Sequence, residues 1–277
     1  MTWLKEMFGR NKVAIGMVNC PPMPGTPLYD EEGGLTPIIE RVEHDLEALQ
    51  EGGIDGVLFH NENDRPFVTE IGPEIVATMT RAISHVLPKI QVPFGVDVLA
   101  DPTAAIAIAL ATGAMFVRDD EGLWITEAGK FLRYRRKIGA THIKLLFNIN
   151  TEVVANRELA YVAHTAPSYY QADAVCVSYL GKPTEEVAVP EAKKDLPGGH
   201  TPHPEVRLSD LALVKKVTPV PVFVDVGSRA DNVAQQLAIV DGVIVGTDLK
   251  VGGITWNEVD PERVKAYMNA VNTVEGR

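Results

Sequence analysis

The sequence is poor in cysteine: its 277 residues include only two, Cys20 and Cys176. Both stand in or at the ends of apolar runs, where an isolated cysteine is normally a small buried hydrophobic residue. No CxxC pair occurs, and two cysteines are too few for a disulfide framework. We therefore expect two buried thiols and no thiolate metal site.

Basic residues are also scarce, with 26 lysines and arginines against 37 acidic residues and a net charge of −11. A protein that binds nucleic acid needs a basic stripe to neutralise phosphates, so we expect no nucleic-acid partner. The local basic cluster between Arg133 and Lys137 fits the solvated face of a helix. A small anionic substrate remains compatible with this charge, because a few local donors decide whether it binds.

The chain has no apolar run near the ~18 residues that span a bilayer, so no transmembrane segment is predicted. The stretch from Met1 to Lys12 carries charges and lacks the apolar core of a signal peptide, and we expect a cytoplasmic protein. Motifs for serine acyl transfer (GxSxG) and for metal binding (HExxH, HxH) are missing. The first predicted βα turn also lacks a GxGxxG fingerprint.

Short β-branched apolar runs alternate with longer amphipathic segments along the chain, which is typical of βαβ units around a parallel sheet. The apolar fraction of 45% and the charged fraction of 23% are those of an ordinary globular protein. An open doubly wound sheet is the alternative, but eight evenly spaced units favour closure. We predict an α/β fold in which residues 1–277 form a single (β/α)₈ TIM barrel domain.

The strand assignment sets where the chemistry is expected, because reactive groups in these barrels lie at the carboxyl ends of the strands. The predicted strands are Val13–Asn19, Gly56–His60, Pro93–Leu99, Met115–Arg118, His142–Phe147, Ala174–Val177, Val220–Val224 and Gly242–Val245. The predicted helices cover about 36–50, 73–87, 101–113, a segment ending near 136, 157–170, 208–216, 229–238 and 261–271.

Two dipeptides, Gly227-Ser228 after strand seven and Gly246-Thr247 after strand eight, give the clearest functional signal. Glycine lets the backbone approach a ligand closely, and amide groups at such turns attract an anion. Barrels frequently bind phosphate between these two loops, so we predict a phosphorylated small molecule as ligand. Lys250 is expected to add positive charge there. The alternative is that both glycines only make tight turns.

Polar residues at the other strand ends supply the candidate chemistry. We predict Asp97 and Asp225 as an acid/base pair, with Lys144 as a further catalytic candidate through a Schiff base or proton transfer. A solvent-facing lysine at the strand entrance is the alternative for Lys144. The predicted substrate-binding residues are Asn19, Glu62, Asp119, Asn148, Gly227, Ser228, Gly246 and Thr247.

The carboxylates leave a second possibility open. Asp97, Asp119 and Asp225, together with Glu62, are able to hold a divalent metal ion through oxygen ligands, although each carboxylate also fits a simple helix or loop cap. The long loop from Ser178 to Pro204 is predicted to close over the site and exclude water. The sequence is compatible with a homo-oligomer and does not fix the oligomeric state.

Three segments resemble a known family. Residues 15–27, with the run Cys20-Pro21-Pro22-Met23-Pro24-Gly25, resemble the opening motif of the BtpA/SgcQ family, and residues 111–118 and 241–250 are similar to its middle and end. The resemblance covers nearly the whole chain. It implies a ribulose-phosphate-binding-type TIM barrel and an enzymatic role on a phosphorylated sugar or nucleoside-like compound. The family's name comes from the biogenesis of photosystem I in cyanobacteria.

The chain resembles a divergent member, because it departs from the family pattern at the mouth of the barrel. The family usually has histidine where Asn19 stands, asparagine where Asp97 stands, and a Gly-Ser-Gly run at Asp225-Val226-Gly227. Its Ala-Asp-Val-His ending of strand five is replaced by residues 147–150, Phe-Asn-Ile-Asn. These changes predict a different substrate or reaction from the main branch, or a loss of the ancestral catalysis.

Two functional hypotheses follow from the sequence. The first is an enzyme of the lyase, isomerase or epimerase type acting on a phosphorylated sugar or related small metabolite. The second is a non-catalytic assembly factor for biogenesis of a membrane complex, which keeps the barrel and its phosphate site. The substitution Asp97→Asn distinguishes them, because it abolishes turnover only under the first. Metal-dependent hydrolysis is a third, weaker hypothesis.

Overall fold

A computed structural model of the chain describes residues 2–119, 128–150, 158–178 and 205–277. Its eight parallel strands form a closed barrel in sequence order, which confirms the predicted (β/α)₈ TIM barrel. The strands are β1 Val13–Asn19, β2 Gly56–His60, β3 Phe94–Asp97, β4 Phe116–Asp119, β5 Lys144–Asn148, β6 Ala174–Val177, β7 Val222–Val224 and β8 Gly242–Val245.

The helices found in these described ranges are α1 Trp3–Phe8, α2 Thr36–Glu51, α3 Pro73–Val86, α4 Pro102–Thr112, α5 Ala128–Lys137, α6 Leu159–Tyr169, α7 Leu208–Val217, α8 Val233–Ile239 and α9 Pro261–Val271. Helix α8 begins four residues later than predicted, because Asn232 Oδ1 accepts a hydrogen bond from the Arg229 backbone N–H (2.8 Å) and holds a turn. None of the helices described is both long and apolar enough to cross a membrane.

Helix α1 was not predicted from the sequence, and it closes the amino-terminal end of the barrel. Leu4 is buried with the residues that fill the barrel interior, and Trp3 and Phe8 pack against the same cluster. The Trp3 indole donates to the Asp173 carbonyl (3.0 Å), and the rings of Phe8 and Phe116 lie 6.0 Å apart. The apolar side chains of this short, charged segment therefore cover the amino-terminal end of the barrel interior.

Side chains fill the barrel interior at its amino-terminal half. Gly95 and Gly242 make room for this packing, since a Cβ atom at either position would lie 2.3 Å from the ring of Phe116 or Phe223. A second, larger cluster of buried residues packs the outer faces of the strands against the helices. Both cysteines are buried, as expected. The polar residues at the strand ends are left to form the opposite, carboxyl-terminal mouth.

Candidate active site

A cavity of about 330 Å³ opens at the carboxyl ends of β1, β2, β4, β7 and β8. Its walls are the strand ends and the loops that follow β2, β7 and β8. The lining combines three arginines, three carboxylates and a run of glycine, serine and threonine. The polar residues that line it are Asn19, His60, Glu62, Arg118, Asp225, Ser228, Arg229, Thr247, Asp248, Thr255 and Arg263.

Arg118, at the end of β4, joins two buried carboxylates on the floor of this cavity. One terminal nitrogen lies 3.0 Å from Asp97 Oδ2, and the other lies 2.8 Å from Asp225 Oδ2. The Asp225 oxygen also accepts hydrogen bonds from the Asn148 amide (2.6 Å) and the Ser178 hydroxyl (3.3 Å). Side chains at the ends of β3, β4 and β5 and directly after β6 and β7 thus form one network. Asp225 lines the cavity, whereas Asp97 contacts Arg118 outside the lining.

His60, the last residue of β2, is buried beside this network. Its Nε2 atom lies 3.5 Å from Asp97 Oδ2, and its Nδ1 atom lies 3.3 Å from Glu62 Oε2. Burial and the nearby charges of Arg118 and Lys250 hold the pKa of His60 well below 6.5. The imidazole is therefore neutral at pH 7, with one nitrogen as a donor and the other as an acceptor.

Asn19, at the end of β1, points its amide at the same cavity. The side chain is 2% exposed, and its Nδ2 atom donates to the Thr255 carbonyl (3.3 Å), which fixes the orientation of the amide. Within the described part of the chain, the Asn19 Oδ1 atom has no hydrogen-bond partner. A buried amide oxygen without a donor is costly, so this atom is a candidate contact for a ligand.

The loops after β7 and β8 form the other wall. Gly227 has a φ of +76°, a left-handed conformation that glycine adopts without strain. At Gly246 a Cβ atom would lie 3.1 Å from the Met17 sulfur, so glycine keeps this part of the cavity open. The Ser228 hydroxyl is paired with the Tyr267 hydroxyl (2.6 Å), and the Thr247 hydroxyl is paired with that of Thr255 (2.8 Å).

Hydrogen bonds from the backbone N–H groups of Ser228 and Thr247 to other protein atoms are not found among the described residues. Their hydroxyls are used in pairing, so these amides are the groups of the two loops best suited to meet an anion. Asp248 ties the loops together, because it accepts from the Ala230 N–H (2.9 Å) and pairs with Arg263 (2.8 Å).

Lys250 does not join this wall, and the expectation that it adds charge to the phosphate site is wrong. Its ammonium group is fully buried, donates to Asp45 Oδ2 at 2.9 Å and contacts the Met17 carbonyl at 3.2 Å. Asp45 also accepts from the Val259 N–H (2.8 Å). The pair links α2 to the segment after β8. Separating the two would leave a buried charge without a partner, which is costly.

Lys144 also lies away from the cavity. It is the first residue of β5, at the amino-terminal end of the barrel, and its ammonium donates to Asp173 Oδ1 (2.8 Å). Strand β5 begins two residues later than predicted, so Lys144 is at its amino-terminal end. Its assignment as a catalytic residue of the mouth is corrected to a partly exposed ion pair with Asp173.

The remaining predicted residues fall into two groups. Asn19, Glu62, Asp225, Gly227, Ser228, Gly246 and Thr247 line the cavity together. Asp97 and Asn148 reach it through their contacts with Arg118 and Asp225, whereas Asp119 is buried at the end of β4 outside the lining. The predicted closing loop falls mostly outside the described residues, since only Ser178 of it is described before position 205.

The possibility of a carboxylate metal site, left open by the sequence, finds no support within the described ranges, where no group of three histidine, cysteine or acidic side chains is arranged to hold an ion. The guanidinium of Arg118 lies between Asp97 and Asp225 instead. Sequence reasoning missed His60 and Arg263 in the lining. His60 was detectable, because it is the last residue of a correctly predicted strand.

The comparison with known proteins decides the family. The BtpA family model matches residues 10–273. The chain belongs to the BtpA family. This BtpA-family chain is 36% identical to the putative sgc region protein SgcQ of Escherichia coli, with 99% of each chain covered. It is 30% identical to the photosystem I biogenesis protein BtpA of Synechocystis, over 97% of this chain and 91% of that one.

Solved structures of low sequence identity share the fold of this BtpA-family chain. One is the (S)-3-O-geranylgeranylglyceryl phosphate synthase from Thermoplasma acidophilum in complex with sn-glycerol-1-phosphate, at 16% identity, a TM-score of 0.59 and coverage of 99% and 100%. Another is tryptophan synthase from M. tuberculosis, at 17% identity, a TM-score of 0.59 and coverage of 98% of both chains. At this identity the likeness establishes the TIM barrel alone.

A pH dependence of stability is expected from Asp64, which joins two loops beside the cavity of this BtpA-family chain. It accepts from the Met23 N–H (2.9 Å) and from the Asn61 amide (3.3 Å), and burial raises its pKa from 3.8 to about 6. A carboxyl whose pKa is raised on folding contributes stability that is present below pH 3.8 and is lost as the pH rises through about 6.

We therefore predict that wild type loses about 2 kcal/mol of unfolding free energy relative to Asp64→Asn between pH 4 and pH 7. Urea unfolding of both proteins at the two pH values measures this difference, and the other titrating groups cancel between them. An unchanged gap between the two proteins would show that Asp64 titrates normally.

Proposed function

We propose that this chain is an enzyme that binds a phosphorylated sugar or related small metabolite at the carboxyl face of the barrel. The chemistry proposed is proton transfer, of the lyase, isomerase or epimerase type. The observation that carries the proposal is the composition of one cavity, which unites the paired loops of β7 and β8 with the buried polar network around Arg118.

The phosphate end is assigned to Gly227, Ser228, Gly246 and Thr247. The backbone amides of Ser228 and Thr247 supply hydrogen-bond donors, and two arginines of the lining, Arg229 and Arg263, add positive charge. The position supports the assignment, because barrels frequently bind phosphate between the loops after strands seven and eight. The synthase from Thermoplasma acidophilum, a barrel of similar fold, is described with sn-glycerol-1-phosphate, which adds support.

The reacting end is assigned to Asp225 and its surroundings. Asp225 lines the cavity, and its fixed hydrogen bonds hold one oxygen in place, as acid/base chemistry requires. Asp97 is assigned as a positioning residue, because it lies outside the cavity lining and acts through Arg118. Asn148 orients Asp225 in the same way. Glu62, which is partly exposed in the lining beside His60, is a second candidate for proton transfer.

A thermal-shift screen of phosphorylated sugars and nucleotides, with and without Mg²⁺, tests the proposed binding. A ligand at about 100 times its dissociation constant adds about 2.7 kcal/mol of stability, which raises the melting temperature measurably. In Gly246→Asp this response should be lost, because a carboxylate then occupies the phosphate end. Gly246→Ala is the matched control, since it adds the same Cβ beside Met17 without the charge.

A response that survives in Gly246→Asp would place the ligand elsewhere and contradict the assignment. Deuterium exchange from heavy water into each binding compound, followed by NMR, then tests for proton transfer. Exchange that requires Asp225 supports the enzyme.

The name of the Synechocystis relative favours a second candidate, a non-catalytic biogenesis factor that keeps the ligand site. This alternative predicts tight binding without exchange or turnover. It also predicts that Asp97→Asn changes stability alone, whereas the enzyme loses turnover in that variant.

A further inference from the structure

The cavity has a second polar end that the phosphate assignment does not use. Asn19 Oδ1 lies there without a hydrogen-bond partner in the described ranges, on a side chain that is 2% exposed. The amide cannot turn over cheaply, because its Nδ2 atom is bonded to the Thr255 carbonyl. A group that enters this end must therefore donate a hydrogen bond to Asn19.

His60 lies in the same lining, with Nδ1 3.3 Å from Glu62 Oε2 and Nε2 3.5 Å from Asp97 Oδ2. Neither contact has hydrogen-bond geometry within the described residues. As a neutral imidazole it offers one donor and one acceptor. An alcohol satisfies both residues, because a hydroxyl donates and accepts at once. An ammonium group is disfavoured, because it has donors alone and supplies no acceptor for the His60 N–H.

We propose that Asn19 and His60 form a hydroxyl-binding subsite, and that the ligand is a small polyol monophosphate whose hydroxylated end lies against them. This inference rests on the proposed phosphate site. The size of the cavity agrees with it, since about 330 Å³ is at the low end of the ~300–1,000 Å³ range of ligand pockets. A polyol chain of a few carbons suits that volume better than a dinucleotide.

Titration calorimetry with three probes tests the subsite on the full chain. Inorganic phosphate reports on the phosphate end alone, n-propyl phosphate adds an apolar tail, and sn-glycerol 1-phosphate adds hydroxyls to a tail of the same length. We expect the glycerol phosphate to bind about tenfold more tightly than the propyl phosphate, the effect of a hydrogen bond that satisfies a buried acceptor. Equal affinities for these two probes would overturn the subsite.

Asn19→Ala assigns the effect to its residue. The preference for glycerol phosphate should fall below about twofold, while the affinity for inorganic phosphate stays unchanged. Asn63→Ala is the matched control: Asn63 is also buried and donates to the Cys20 carbonyl (2.7 Å), but lies outside the cavity lining. Asn63→Ala should keep the tenfold preference, and a preference retained in Asn19→Ala would overturn the assignment.

The binding results distinguish a failure of the hydroxyl-binding subsite from a failure of the proposed phosphate site. If inorganic phosphate and both organic phosphates all fail to bind, the proposed function fails and the subsite fails with it. If all three bind with similar affinity, the phosphate site stands and only the subsite is overturned. The comparison of glycerol phosphate with propyl phosphate on the unmodified chain tests the subsite even if Asn19→Ala does not fold.

Discussion

Replacing Arg118 by methionine is expected to lower the free energy of unfolding by about 3–5 kcal/mol at pH 7. The substitution keeps most of the apolar volume and removes the guanidinium that lies 3.0 Å from Asp97 and 2.8 Å from Asp225. Both carboxylates are fully buried, so neither gains water in exchange for the lost charge. Urea denaturation monitored by circular dichroism measures the change.

A charge-compensated variant separates this cause from lost packing. Adding Asp97→Asn and Asp225→Asn to Arg118→Met removes the stranded charges, so the triple variant should recover much of the stability that Arg118→Met loses. Ligand binding should be weakened in both the single and the triple variant, because Arg118 lines the cavity. A loss below about 1 kcal/mol in Arg118→Met would mean that the three side chains are not held together as described.

Lys250→Met is the second substitution with a large expected effect, again about 3–5 kcal/mol. Lys250 and Asp45 are both 0% exposed, and the ammonium also contacts the Met17 carbonyl. Burial lowers the pKa of Lys250, while Asp45 opposes that change, so the lysine depends on its partner to stay charged. Without it, Asp45 keeps Arg41 and the Val259 N–H but loses its only fully buried cation among the residues described.

An exposed pair of the same chemistry provides the control. Lys265 and Glu262 lie 2.8 Å apart with 51% and 80% of their side chains exposed, so Lys265→Met should change stability by less than about 0.5 kcal/mol. A double-mutant cycle of Lys250→Met with Asp45→Asn should show that the two losses are not additive. Equal effects at Lys250 and Lys265 would contradict the buried pair.

The strands were predictable from sequence because their signal is local. The bounds of β1, β2, β6 and β8 agree with prediction to the residue, since each is a short apolar run flanked by polar or turn residues. A closed parallel barrel then brings the carboxyl ends of all eight strands to the same mouth, independently of how the side chains pack. For that reason Asn19, Glu62 and Asp225, all predicted at strand ends, lie together in the lining of one cavity, and their roles in binding or catalysis stay a prediction.

The failures concern contacts between distant parts of the chain. Lys250 lies three residues beyond Thr247, and only the position of Asp45 on α2 determines that its ammonium turns away from the cavity. The contact of Lys144 depends on Asp173, which directly precedes β6 and pairs with the lysine ammonium. The pairing of Arg118 with two aspartates depends on side chains that meet across the barrel mouth, and no local pattern encodes that meeting.

Phosphate binding by the loops after β7 and β8 is tested most directly by titrating the isotopically labelled chain with inorganic phosphate in an NMR experiment. We expect saturable shifts concentrated on the amide resonances of Gly227, Ser228, Gly246 and Thr247. Shifts that cluster elsewhere on the barrel, or an absence of saturable shifts at these four amides, would contradict it.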